Sequence, residues 1–182
     1  MARADNALAS ARGACLGAVL HHTAVSLPKL YLETTIPSYL VARPSRDPIL
    51  AGQQKATRLW WESKRGNYDL YVSELVLEDT AAGDPAMAAA RHGALAGLPQ
   101  LAQTPAVDAL ASRILEQGII PPGAAPDAEH IALAAVHAMN FLLTWNCKHI
   151  ANAMHRRRVE AVCTEAGLAC PIICTPHHLI AI

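Results

Sequence analysis

No CxxC pair, no glycine-rich phosphate loop and no GxSxG elbow occur in this chain, and each absence removes a class of function. The five cysteines (Cys15, Cys147, Cys163, Cys170, Cys174) are an odd number without paired spacing. That argues against a disulfide framework and a structural zinc site, and leads us to expect a reducing cytoplasm. Without a phosphate loop, GxGxxG or GxSxG, readings as a nucleotide triphosphatase, a dinucleotide enzyme or a serine hydrolase have no anchor. No apolar run reaches the roughly 20 residues a bilayer span requires, so no membrane partner is expected. Aromatic residues are only 4% of a chain that is 52% hydrophobic, so the core must be built from Ala, Leu, Ile and Val. Neither sign of charge dominates, with 15 basic and 15 acidic residues. A balanced total does not decide for or against nucleic acid, because a basic patch can be offset by acids elsewhere on the surface.

What is present suits one domain with a sizeable core. Residues 1–27 are rich in Ala and Ser and show no period. Their short apolar run ends in His21 and His22 without a small-x-small cleavage site, so we read not a signal peptide but a poorly ordered extension, an over-long gene start. From residue 28 onward strands and helices alternate. Residues 29–33 (KLYLE) alternate as a strand and lead into Thr34, Thr35, Ile36 and Pro37, which open a helix. Residues 49–63 carry apolar positions at helical spacing, 68–72 read as a second strand, and Ser73 caps a helix to about residue 82. Asp84-Pro85 and Thr104-Pro105 open two more helices. Residues 126–138 form a helix with a thin apolar face (Ile131, Ala134, Ala135, Ala138), followed by a short strand over 141–144. A helix over 150–166 and a strand over 171–174 complete the order. The pattern predicts an α/β fold of three layers, helices on both faces of a mostly parallel sheet.

Chemistry in such sheets collects at the carboxyl ends of strands. Glu33 ends the first strand, Glu78 lies in the helix after the second, Asp127 opens the helix before the third, and Asn146 follows that third strand. Carboxylates with an amide are the oxygen donors that Mg²⁺ or Mn²⁺ takes, and the chemistry they support is attack of metal-activated water on a phosphodiester. Each residue also has a plainer reading: Asp127 as an N-cap, Glu78 as a solvated helix residue, Asn146 as a turn former. Glu33 is the hardest to explain as filler, because glutamate is disfavoured in strands. Basic residues near the site are Lys148, His149, Arg156, Arg157 and Arg158, an RNA-facing set or a solvated helix face. The remaining histidines, His130, His137, His177 and His178, are assigned to core or surface. Trp60 and Trp61 read as packing or as part of a partner groove.

Four segments together, YLETTIPSYL (31–40), VSELVLEDT (72–80), PDAEHIALAAVHAMNFLLTWNCKHI (126–150) and PIICTPHHLI (171–180), resemble the PIN-domain ribonucleases, in particular the VapC-like toxins of type II toxin–antitoxin systems. The resemblance implies a PIN-like, Rossmann-like α/β/α domain over residues 28–182 that cleaves RNA with Mg²⁺ or Mn²⁺. It implies metal ligation and catalysis by Glu33, Glu78, Asp127 and Asn146, with Thr144 in support. It further implies a small antitoxin partner, seated beside Trp60 and Trp61 with a basic side chain among the carboxylates, and it allows a homodimer. Two positions depart from the family pattern: Glu33 stands where Asp is usual, and Asn146, where Asp is frequent, keeps an oxygen but loses a charge. The second should weaken the metal grip.

Overall fold

The computed structural model describes residues 26–180, so the extension expected over 1–27 lies, but for its last two residues, outside the described part. Five strands pair in parallel in the order β3-β2-β1-β4-β5: β1 (Lys29–Leu32), β2 (Asp69–Ser73), β3 (Gln100–Leu101), β4 (Phe141–Leu143) and β5 (Ile172–Cys174). Parallel neighbours need crossovers, and helices supply them. Helices α1 (Thr35–Val41) and α2 (Pro48–Ser63) join β1 to β2, and α3 (Glu74–Ala81) and α4 (Pro85–Leu95) join β2 to β3. Helices α5 (Pro105–Glu116) and α6 (Ala125–Val136) lead to β4, α7 (Ala153–Glu165) leads to β5, and α8 (Pro176–Ile180) follows. One set of contacts joins α1, α2, α4 and α8, and another joins α5, α6 and α7, which makes the sheet the middle of three layers. With both faces covered, Leu30, Leu32, Leu142 and Leu143 are fully buried.

Local chemistry explains most boundaries. Asp47 caps α2 by accepting from the N–H groups of Ile49 and Leu50, with Pro48 directly after it. Asp84 and Thr104 repeat that plan at α4 and α5. Helix α6 departs from it. It begins at Ala125, its cap residue Ala124 offers no side-chain bond, and Asp127 lies inside the first turn, so Asp127 is not the N-cap that its position suggested. The face expected to be thin is burial on most sides: Ala128 and every residue from His130 to Ala135 are buried between the sheet and α5. Small side chains let both neighbours approach. The helix ends in a Schellman pair, Met139 N–H to Ala134 carbonyl and Ala138 N–H to Ala135 carbonyl, with Ala138 at φ 52°, a place where glycine is usual. Strand β3 escaped the sequence reading because two residues carry no alternation to detect.

The chain moves outward from β1 to β2 and β3, then returns to the other side of β1 as β4. The strand order therefore reverses between β1 and β4, and the carboxyl ends at such a reversal are where sheets of this kind bind ligands.

Candidate active site

Glu33 stands at this reversal, directly after β1, and is only 4% exposed. Its Oε2 accepts from Thr35 N–H (3.1 Å), Thr35 Oγ1 (2.5 Å) and Thr144 Oγ1 (2.7 Å). Its Oε1 carries no hydrogen bond and is not sealed from solvent. The two threonines that follow it divide their work: Thr35 clamps Glu33, while Thr34 Oγ1 donates to Asp79 Oδ2 at 3.0 Å. Thr144, at the end of β4, both donates to Glu33 and accepts from Asn146 N–H (2.8 Å). Its hydroxyl joins the two strand ends on either side of the reversal.

Asp127 is engaged at both oxygens. Oδ1 accepts from Asn146 Nδ2 (2.9 Å), and Oδ2 lies 2.6 Å from His149 Nδ1. Asn146 Oδ1 in turn accepts from His149 N–H at 3.0 Å. This orientation of the amide follows from its partners, since a carboxylate only accepts and a backbone N–H only donates. Asn146, expected as an oxygen ligand, turns its nitrogen to the acid, and its oxygen closes the 146–149 turn. Replacing it tests the pair. Asn146→Asp puts a carboxylate where the amide nitrogen now lies 2.9 Å from Asp127. It is expected to lower stability in EDTA by about 1–3 kcal/mol, as like charges held close disfavour ionisation and a hydrogen bond is lost. Added Mn²⁺ should restore the melting temperature, and a melting curve blind to Mn²⁺ would separate this pair from any metal.

Glu78 does not join Glu33. Successive residues of a helix are turned by about 100°, and α3 buries Val76 and Thr80, which puts Glu78 opposite the inward face and Asp79 on its flank. Glu78 is exposed and shares a depression of about 200 Å³ with Glu74, Gln103 and Glu129. The Glu129 carboxyl is raised by burial, then by the charges of Asp108, Glu78 and Asp79. The acids that surround His130 are instead Glu33, Asp79 and Asp127. Burial lowers the His130 pKa and keeps the ring neutral, and those three negative charges oppose the shift in part. Among the described residues, no three His, Cys, Asp or Glu side chains converge closely enough to chelate an ion on their own.

Beneath the acids runs a buried chain of hydrogen bonds: His130 Nδ1 to Tyr31 hydroxyl (2.8 Å), and Tyr31 hydroxyl to Ser73 Oγ (2.7 Å). Ser73 Oγ also accepts from Val76 N–H as the cap of α3. The chain therefore ties together β1, α3 and α6, the elements that carry Glu33, Asp79 and Asp127. Burial pushes the Tyr31 hydroxyl far above its ordinary pKa, so it stays a neutral donor and acceptor. Tyr31→Phe strands both partners in the core and is expected to cost about 1–3 kcal/mol, read as a lower urea midpoint with an unchanged m-value.

The basic run separates into individuals. Arg156 donates to the Ile173 carbonyl at 3.0 Å, and Arg158 donates to the Gln117 and Gly118 carbonyls just beyond α5, where the helix dipole favours a cation. Lys148 and Arg157 are exposed, and their side chains hold no partner among the described residues. Trp60 is fully buried and packs against Tyr68 and Trp61. Trp61 lines an open cavity of about 520 Å³ with Tyr68, Asp69 and Pro99, and the Arg65 guanidinium lies 4.7 Å above its ring. Asp69 begins β2, whereas Glu33 follows the end of β1; in a parallel sheet these are opposite edges. The Trp61 cavity, expected as the antitoxin groove, thus lies toward the other edge of the sheet, and none of the candidate acids lines it.

The sequence reading passed over Asp79, the partnership of His149 with Asp127, and the Tyr31–His130 pair. The inward positions 76 and 80 of α3 carried the signal for Asp79, since they put residue 79 nearer the sheet than 78. Among the described residues no helix is long and apolar enough to cross a membrane. No family model, curated protein or solved structure matches the chain.

Proposed function

We propose that this protein is a divalent-metal-dependent endoribonuclease, the activity of the PIN-domain toxins its motifs resemble, working in the cytoplasm as the toxin of a toxin–antitoxin pair. The observation that carries the reading is the pair Glu33, at the reversal of strand order, and Asp79, bonded to Thr34 beside it. Each has a carboxylate oxygen without a hydrogen bond, and neither has a basic partner, among the described residues. Uncompensated like charges at the carboxyl edge of the sheet call for a cation. The donor set suits Mg²⁺ or Mn²⁺, because a small hard ion keeps several waters and is held by one or two carboxylates together with substrate phosphate. Glu33 and Asp79 would hold it, with Asp127 behind them. When bound, the ion supplies an activated water and positive charge for the phosphodiester oxygens.

The chain's own groups do the rest. Thr35 and Thr144 fix the Glu33 rotamer, and Thr34 fixes Asp79. Asp127 orients His149 through Nδ1, which leaves Nε2 as the atom that exchanges a proton with the leaving oxygen. An antitoxin would approach the edge that carries Glu33, away from the Trp61 cavity.

The test is cleavage of RNA by purified protein in Mn²⁺ and in Mg²⁺. Cleavage that chelation abolishes supports the reading, and a folded protein that cuts no RNA in either metal sinks it. A second reading, a PIN-like module that binds RNA without cutting it, draws on the full engagement of Asp127 by Asn146 and His149. It would show as RNA binding without turnover.

A further inference from the structure

The chain has few aromatic residues, yet three elements bring rings to the edge that carries Glu33: Tyr39 from α1, Trp145 just after β4, and His177 in the first turn of α8. The Tyr39 ring stacks on Trp145 with centroids 6.4 Å apart and planes at 21°. His177 meets Trp145 edge-on, at 5.4 Å and 84°. Trp145 is the buried brace at 8% exposure; Tyr39 is half-buried and His177 exposed. Neither outer ring is sealed in the core.

We propose that Tyr39 and His177, braced by Trp145, form a stacking platform for an unpaired nucleobase beside the carboxylates. The proposal deepens the ribonuclease reading and rests on it for the identity of the polymer.

Registration to the acidic site is direct. Trp145 N–H donates to Thr35 Oγ1 at 2.8 Å, and the same hydroxyl donates to Glu33 Oε2. Trp145 Nε1 is pinned by Thr57 Oγ1 at 2.7 Å, which stops the indole from turning. Two hydrogen bonds thus separate the backbone of the brace from the carboxylate. The Tyr39 hydroxyl is raised by burial and then by the charges of Glu33 and Cys147. Electrostatics favour stacking at this place. Arg156 and Arg158 are tied to carbonyls, so of the basic run Lys148 and Arg157 stay open to phosphate, beside acids that repel it, and a further source of affinity is needed. A π-face supplies it without charge and tolerates any base. Bases inside an A-form duplex are stacked on each other and unavailable, so the platform selects against double strands.

The experiment is fluorescence anisotropy of an end-labelled single-stranded RNA oligonucleotide, with calcium as the only divalent cation, against wild type, Tyr39→Ala, Tyr39→Phe and His177→Ala. Tyr39→Ala and His177→Ala should each weaken binding by about 5- to 100-fold. Tyr39→Phe should restore the affinity lost in Tyr39→Ala, and a duplex of the same sequence should bind less tightly than the single strand. His177 is exposed, so its removal tests the platform even where Tyr39→Ala disturbs folding. Single-strand affinity unmoved by His177→Ala and by a folded Tyr39→Ala would overturn the platform and leave the nuclease reading intact. Ring-dependent binding by a protein that never cleaves would support the platform and remove the nuclease reading. A wild type that binds no RNA would end both.

Discussion

Glu33→Gln is expected to reduce Mn²⁺-dependent RNA cleavage by about 100-fold or more while the protein stays folded. Glutamine has the length of glutamate, and its carbonyl oxygen can take the place of Oε2 as acceptor for Thr35 and Thr144. The loss is confined to charge and to Oε1, where an amide nitrogen would turn donors toward a cation. Glu33→Ala is a different experiment. It leaves the Thr35 N–H and the Thr35 and Thr144 hydroxyls without their acceptor in a buried place, and should cost about 3 kcal/mol or more in stability besides activity. Comparing the two variants by single-turnover cleavage and by urea unfolding separates the role of the carboxylate from its role in the fold. Glu33→Gln with activity within a few-fold of wild type would remove Glu33 from the metal site.

The neighbouring acids of α3 should part company in the same assay. Asp79→Asn is expected to lower cleavage by about 100-fold, and Glu78→Gln to leave it within about twofold, as surface substitutions usually do. The reason is rotation of one helix. Thr80 and Val76 face inward, Thr34 reaches Asp79, and Glu78 looks toward Glu129 across the opposite flank. Mn²⁺ affinity measured by titration should follow the same split. Equal losses from both variants would mean that α3 turns differently in solution, and a loss from Glu78→Gln alone would restore the assignment the sequence suggested.

The difference between these residues shows where reading from sequence stopped. Glu33 was found because a carboxylate after an alternating strand is out of place by propensity alone. The plainer reading of Asp127 as a helix cap does not hold, since α6 starts two residues earlier and the carboxylate turns to Asn146 and His149. Thr144 was singled out beside a turn, and its hydroxyl bonds a carboxylate 111 positions away. No local pattern in the sequence connects His177 to Trp145.

By itself the sequence determined the elements other than β3, their alternation and hence the parallel three-layer sheet, since caps, periodicity and short connections act over a few residues. It also determined that acids would lie at strand ends, because position along a strand is a local property. Only the tertiary structure decided which acid of α3 meets Thr34, which atom of Asn146 meets Asp127, and that Tyr39, Trp145 and His177 share one edge. Those outcomes depend on how each helix is rotated against the sheet and on contacts between residues remote in the chain, and neither quantity is written in any short stretch of sequence.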